Sequence, residues 1–172
     1  VRWEPSIELI NMEKGDWLVL ARTNYLLEQI DDYCRNEGWF FEVKGRPSIS
    51  DTKIKAVLNW QILRKGDSLP LSECVNLLKF IKVRKVNSLD VLEIDAMMTL
   101  ADLKERFPEL PDGDWYDALT SLTPKEISYI RAMLRRGEKI TKQPRIRLST
   151  IHAAKGGEAT NVVLLTDITT RG

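Results

Sequence analysis

The sequence has few of the residues that build metal centres, disulfide frameworks or proton relays. It contains two cysteines, Cys34 and Cys74, and one histidine, His152, in 172 residues. Both cysteines lie in apolar helical patterns without metal-ligand spacing, which excludes a disulfide framework and predicts a reducing, cytoplasmic location. A single histidine is too few for the usual zinc site or for Ser/His catalysis, so we predict no metal site.

Long hydrophobic runs are also missing. No apolar run approaches the roughly 18 residues that span a bilayer, and the first residues do not have the layout of a signal peptide, so we expect no membrane partner. The chain is nevertheless 43% hydrophobic, enough for a buried core, and its net charge is only +1. A surface for a polyanion must therefore come from local clusters of charge.

One such cluster is present in the second half of the chain. The segment Lys125–Arg147 holds eight Lys or Arg residues and two Glu residues. Basic runs of this kind are usually solvated faces of helices, but in a nucleic-acid enzyme they can also contact the phosphate backbone of a duplex. The sequence leaves both interpretations open.

The two ends of the chain have the pattern of an α/β fold. Near the start, the pattern predicts a buried strand over Trp17–Ala21, an amphipathic helix over Tyr25–Glu37 that stops at Gly38, and a strand over Trp39–Val43. Near the end, Ile146–Ile151 alternates as a strand should, and Val162–Leu165 reads as a second buried strand. We therefore predict parallel sheet pieces at both ends.

Between these ends the pattern is helical from Asp51 to Arg136. The clearest helix start is Thr123 to Glu126, where Thr123 can cap, Pro124 suits the first helical position and Glu126 can close a capping box. The terminal pieces are too small to bury their strands separately. We therefore predict one discontinuous sheet domain, 1–50 with 140–172, and a helical insertion subdomain, 51–139.

The residues with the most chemistry follow the first C-terminal strand. The segment Ser149–Glu158 places hydroxyls, a histidine, a lysine and the pair Gly156-Gly157 at the predicted carboxyl edge of the sheet, where open α/β folds bind ligands. Paired glycines allow close approach of the backbone to a ligand, and Lys155 can pair with a phosphate. The alternative is an ordinary connection in which the glycines only make the turn.

The same segment resembles a known motif. Thr150 to Glu158 reads T-I-H-A-A-K-G-G-E and resembles motif V, T-x-H-x-x-K-G-x-E, of UvrD/Rep/PcrA-type superfamily 1 DNA helicases. Leu18–Asn24 resembles the "vLyRtN" segment of the same family, which also inserts a largely helical subdomain between the two segments. The chain departs from the family at Gly157 and Ala159, where a bulky apolar residue and an aromatic are usual. The resemblance implies a second RecA-like (P-loop NTPase-like) motor domain.

The resemblance assigns five residues to the track of single-stranded DNA. These residues are Arg22, Thr23, Asn24, Thr150 and His152. A guanidinium can grip a phosphate or stack on a base, and an amide can bridge sugar and base.

Three further residues, Lys155, Gly156 and Glu158, would face the ATP cleft between the two motor domains, with Glu158 toward the ribose. The sequence contains no G-x-x-x-x-G-K-[ST] phosphate loop. ATP and Mg²⁺ would therefore be bound mainly by the first RecA-like motor domain, which is the expected partner together with single-stranded DNA. We do not expect the chain to hydrolyse ATP alone.

The sequence thus predicts part of an ATP-dependent DNA helicase or translocase, with 3′-to-5′ polarity implied by the family alone. Two alternatives remain open. One is a non-catalytic DNA-binding or regulatory module derived from a motor domain. The other is a helical protein-interaction adaptor in which the terminal motifs are coincidental.

Overall fold

A computed structural model describes residues 4–83, 95–155 and 157–166. The chain divides into two compact units, which we call the sheet unit (Val1–Ser48 with Arg131–Gly172) and the helical unit (Ile49–Ile130). The sequence-based ranges were 1–50 with 140–172, and 51–139. In the structure the second boundary between the units lies inside a helix, α6 (Pro124–Arg136). Residues 131–139, which were predicted to belong to the helical insertion, therefore belong to the sheet unit.

The sheet unit is built on a mixed sheet, so the predicted α/β fold is confirmed. Four strands run parallel and a fifth is antiparallel to its neighbour, in the order β3-β2-β6-β1-β7. Their bounds are β1 Trp17–Ala21, β2 Phe41–Val43, β3 Arg46–Pro47, β6 Ile146–Thr150 and β7 Asn161–Leu165. The strand predicted over Trp39–Val43 begins only at Phe41, while Trp39 and Phe40 are buried ahead of it.

One face of this sheet carries the helix α1 (Asn24–Glu37), which buries Leu27, Ile30 and Cys34. The hydroxyl of Thr23 accepts a hydrogen bond from the Leu26 amide, so Thr23 is the N-cap. The helix ends at Gly38, whose φ of +74° is left-handed; a Cβ there would lie 2.5 Å from the Ala132 carbonyl carbon. Only glycine fits this helix end without displacing the backbone of α6.

The β7 strand corrects one sequence-based prediction. Val162–Leu165 was predicted as a buried run, but Val162 is 57% and Leu164 54% exposed, whereas Val163 is buried. Side chains alternate between the two faces of a strand, and β7 lies at the edge of the sheet in the described part of the chain. Only the Val163 side of β7 therefore packs into the core.

The helical unit contains the helices α2 to α5, the start of α6 and a two-stranded ladder. The bounds are α2 Asp51–Arg64, β4 Leu69–Pro70, α3 Leu71–Leu78, β5 Met97–Met98, α4 Leu100–Arg106 and α5 Trp115–Ala118. The ladder pairs β4 antiparallel to β5 and was not predicted, since two-residue strands leave no periodic signal. Trp60 and Trp115 are buried in this core.

Two helices of the helical unit begin with a capping box. The predicted capping box at α6 is confirmed, because the Thr123 amide donates to the Glu126 carboxylate at 2.9 Å and the Glu126 amide donates to the Thr123 hydroxyl at 3.3 Å. Thr99 and Asp102 form a second capping box at α4, and hydrogen bonds from Thr99 lower the pKa of Asp102. Among the described residues, no helix is both long and apolar enough to cross a membrane.

Candidate functional site

The two motif segments begin side by side at the carboxyl edge of the sheet. Strands β1 and β6 are parallel neighbours in which Ala21 pairs with Thr150. The Ile151 amide donates to the Ala21 carbonyl at 3.0 Å, which extends the pairing past the strand ends. The segments that start at Arg22 and at Ile151 therefore leave the sheet at one edge, the edge at which α/β folds bind ligands.

The first segment presents two polar side chains to solvent. Arg22 and Asn24 are exposed, while the Thr23 hydroxyl accepts the Leu26 amide as the N-cap of α1. The start of α1 lies at the same edge, so its free amides and partial positive charge are directed there. Of the three residues predicted here, two are free to reach a ligand and the third holds the helix in place.

The second segment folds into a tight turn over residues 151–155. The Thr150 carbonyl accepts the Ala153 and Ala154 amides at 3.1 and 3.0 Å, and the Thr150 hydroxyl also accepts the Ala153 amide at 3.3 Å. This turn leaves His152 and Lys155 exposed. Thr150 thus shapes the loop, and its hydroxyl hydrogen is still available to a ligand as a donor.

The loop then returns toward the sheet through Gly157 and Glu158. The Gly157 amide donates to the Ala154 carbonyl at 2.8 Å, and a Cβ on Gly157 would lie 3.1 Å from that oxygen. A larger residue would crowd this turn, which is a physical reason for glycine at a position where the helicase motif has a bulky residue. Gly156 lies outside the described residues.

An arginine on β6 fixes the far end of this loop. Arg147 donates to the backbone carbonyl of Glu158 and lies 3.3 Å from the Asp16 carboxylate. The Glu158 side chain is exposed. Gly157, whose added Cβ would lie 3.7 Å from Leu18, and the backbone of Glu158 therefore lie near the amino end of β1, away from the carboxyl edge at which the two segments leave the sheet.

Two residues at this edge were missed by the sequence reading. Tyr25 is 67% exposed in the first turn of α1, and Ile151 is 42% exposed at the start of the loop. The sequence treated Tyr25 only as the start of a helix. Its position outside the buried stripe of Leu27, Ile30 and Cys34 is the signal that could have identified an exposed aromatic.

This donor set suits a ligand that bears phosphates, sugars and bases. Arg22 and Lys155 are cations for phosphate, Asn24 can bond hydroxyls or base edges, and Tyr25 offers a ring face. These groups can form part of one wall of a nucleotide site. Within residues 4–83, 95–155 and 157–166, no three His, Cys, Asp or Glu side chains are grouped to hold a metal ion.

Comparison of the chain with protein-family models, with curated proteins and with solved structures gives no match.

Proposed function

We propose that the chain is the second RecA-like motor domain of an ATP-dependent DNA helicase or translocase, with a helical insertion between its two sheet-forming pieces. The observation that carries the proposal is the pairing of Ala21 with Thr150, which brings both helicase-like segments to one sheet edge. The two segments lie far apart in the sequence, so their closeness is a result of the fold. Their convergence supports a shared site.

Single-stranded DNA is the ligand proposed for the β1 side of this edge. Arg22 binds a phosphate, Asn24 bonds a sugar or base, and Tyr25 stacks on a base. His152 and Thr150 contact the same strand from the neighbouring loop. Stacking on an aromatic ring contributes about 1–3 kcal/mol per base and tolerates any sequence, as a translocating motor requires.

The nucleotide is proposed to lie on the Lys155 and Glu158 side. Lys155 would attract phosphate as a point charge, and Glu158 would accept hydrogen bonds from the ribose hydroxyls. ATP with Mg²⁺ supplies the phosphoryl group whose transfer drives movement. This chain contributes one wall of the cleft, and the first motor domain contributes the phosphate loop and the metal ligands.

Two buried thiols support a reducing, cytoplasmic location. Cys34 and Cys74 are both free and buried. An oxidising compartment offers no advantage to a core built around unpaired thiols.

A non-catalytic DNA-binding module is the second candidate. It is favoured by the balance of the exposed groups at this edge, because Arg22, Asn24, Tyr25 and His152 all suit a nucleic-acid strand. Such a module would bind DNA through the same residues without coupling that binding to hydrolysis.

The first test measures binding of a fluorescently labelled oligothymidylate to this chain by anisotropy. We expect Arg22→Ala to weaken binding about tenfold or more, since a charge-assisted hydrogen bond contributes about 1.5–3 kcal/mol, and Tyr25→Ala to weaken it comparably. Arg64→Ala is the matched control, because Arg64 is an exposed arginine of the helical unit. Equal effects of Arg22→Ala and Arg64→Ala would reject the proposed strand track.

The second test separates the motor from the non-catalytic module. DNA-stimulated ATP hydrolysis is measured for the chain joined to a first motor domain that supplies the phosphate loop. We expect Glu158→Ala to raise the KM for ATP and Glu105→Ala, an exposed glutamate of α4, to leave it unchanged. DNA binding without any stimulated hydrolysis would support the non-catalytic module instead.

A further inference from the structure

A second charged concavity lies at the opposite edge of the sheet. It is a cavity of about 560 Å³ within the sheet unit, next to the residues that precede three strands: Lys14 before β1, Trp39 before β2 and Arg145 before β6. The end of α6 and the loop 137–145 complete its wall. Its volume falls within the range of ligand-binding sites, about 300–1,000 Å³.

Two arginines of the lining are already committed to the fold. Arg136 donates to the Glu37 carbonyl at 2.6 Å and to the Glu37 carboxylate at 2.9 Å. Arg145 pairs with Glu138 at 2.8 Å. Both guanidinium groups also face the Trp39 ring, that of Arg136 at 3.8 Å from its centroid. These contacts fix the wall, and the Trp39 ring is only 4% exposed, so it offers no open face to a base.

Three lysines supply the charge that remains. Lys14, Lys139 and Lys142 line the cavity and are exposed. Their ammonium groups make no ion pair or hydrogen bond with any residue in the described part of the chain. The acidic lining residues are Glu138, which is paired with Arg145, and Glu13, which lies 4.0 Å from Arg136. The cavity therefore holds an excess of positive charge on flexible side chains.

We propose that this cavity binds the phosphodiester backbone of a nucleic-acid strand through Lys14, Lys139 and Lys142. Lysine ammonium groups bind phosphate as point charges, whereas reading of bases would need a stacking face or a rigid polar fork, and here these are used within the fold. Binding at this site is therefore independent of sequence. The choice of nucleic acid as the source of phosphate rests on the proposed function, and the site adds a second contact at the edge opposite the motif segments.

The test compares two triple variants in the oligothymidylate binding assay over a series of salt concentrations. The pocket variant carries Lys14→Ala, Lys139→Ala and Lys142→Ala. The control carries Lys55→Ala, Lys65→Ala and Lys82→Ala, which removes the same charge from exposed positions of the helical unit. Single-strand binding loses about 0.7 of salt slope for each phosphate contact removed, so we expect the pocket variant to reduce the slope by about 2. Its affinity near 0.1 M salt should fall at least tenfold, with a smaller change in the control.

Three results would overturn the proposal. The first is an equal loss in the two triple variants, which would reflect net charge alone. The second is an unchanged slope in the pocket variant. The third is a pocket variant that no longer binds inorganic phosphate or deoxyadenosine monophosphate, as measured by calorimetry, but still binds oligothymidylate. This result would assign the cavity to a small phosphate ligand. Replacement of the same three lysines by arginine should preserve binding, because it keeps the positive charge at each position.

The outcome is independent of the motif test. A pocket effect without an effect of Arg22→Ala would leave this site standing and remove the proposed strand track. The reverse result would remove this site and leave the motor proposal intact.

Discussion

The two units use their polar residues differently. In the helical unit, hydroxyls and carboxylates form capping boxes at Thr99 and Thr123, and Lys53 pairs with Glu126 inside the same unit. In the sheet unit, Arg22 and His152 are exposed next to the ends of β1 and β6, and Lys155 and Glu158 are exposed farther along the second loop. Polar groups that satisfy one another stabilise a fold, whereas exposed groups on a fixed edge are available to a ligand. From this comparison we predict that the motif residues of the sheet unit can be replaced with little loss of stability.

The largest effect should come from the core of the helical unit. Trp60 is 1% exposed and its indole donates to the Gly113 carbonyl at 3.1 Å. Trp60→Ala should lower the free energy of unfolding by about 3–5 kcal/mol, because it leaves a large cavity. Urea unfolding followed by circular dichroism measures this, and hydrogen exchange should show faster exchange of the amides in α2 and α3. Trp60→Phe should lower the free energy of unfolding by less than Trp60→Ala does. An unchanged free energy of unfolding in Trp60→Ala would contradict the packing described.

The next effect concerns two glycines of the sheet unit with the same backbone conformation. Gly38 and Gly137 have φ of +74° and +76°, but a Cβ on Gly38 would meet the backbone of Ala132, whereas one on Gly137 would meet nothing within 4 Å. Gly137→Ala should cost about 1 kcal/mol from the left-handed conformation alone. Gly38→Ala should cost a further 1–3 kcal/mol or so from overpacking. Thermal unfolding of both variants measures the difference, and equal losses would show that the contact with α6 is not tight.

The third prediction uses the same cap in both units. Thr23 and Thr123 each accept an amide at 3.3 Å at a helix start. Alanine at either position should cost about 1 kcal/mol of stability, and serine should restore most of it. Only Thr23→Ala should also weaken oligothymidylate binding, because it loosens the turn that holds Arg22 and Asn24. A parallel loss of DNA affinity in Thr123→Ala would erase the distinction between the units.

The last prediction is a pH dependence that has one reporter in each unit and no effect near neutral pH. Burial raises the pKa of Cys34, in α1, to about 12 and that of Cys74, in α3, to about 11. Both thiols keep their protons in the folded chain above pH 9, where the unfolded chain loses them. The contribution of the two protonated thiols to the free energy of unfolding is therefore complete below about pH 9, and it is lost as the pH rises toward 11–12. Iodoacetamide at pH 8 should modify neither thiol in the native protein.

Alkylation in increasing urea then sharpens the comparison, because each thiol reports the opening of its own unit. Mass spectrometry of the modified peptides shows which cysteine reacts first. Rapid modification of either thiol without denaturant would contradict its burial.

Local patterns predicted much of this fold. Strand β1, helix α1 with its stop at Gly38, and the α6 capping box were predicted because each depends on adjacent residues: an apolar run, a helical stripe, a hydroxyl three residues before a carboxylate. The pairing of β6 between β1 and β2 depends on contacts between distant segments, and no periodicity specifies strand order. The exposure of Val162 and Leu164 was missed for the same reason, since a run of apolar residues does not reveal which face of the sheet is covered.

The candidate site was predicted in part. The types and order of its residues suggested Arg22, His152, Lys155 and Glu158. All four are exposed, but only Arg22 and His152 lie next to the ends of strands, and the roles of all four stay predictions. Hydrogen bonding at Thr23 and Thr150 could not be read from the motif, because a hydroxyl before a turn can serve either the turn or a ligand. The cavity lined by Lys14, Lys139 and Lys142 could not be predicted, because Lys14 is distant from the other two lysines in sequence and only the fold brings them together. The basic run that contains Lys139 and Lys142 did not by itself indicate a binding role.

The order of strands in the sheet also determines when the sheet unit can fold during synthesis. Strands β1 and β2 each pair with β6, which the ribosome makes only after the whole of the helical unit. The helical unit is continuous in sequence, so its contacts become available earlier and close shorter loops. Strand β2 can pair with the adjacent β3 at once, but its other edge and both edges of β1 stay unpaired until residues 146–150 emerge. Slow translation or truncation between these points would expose Trp17–Ala21 and Phe41–Val43 as aggregation-prone segments.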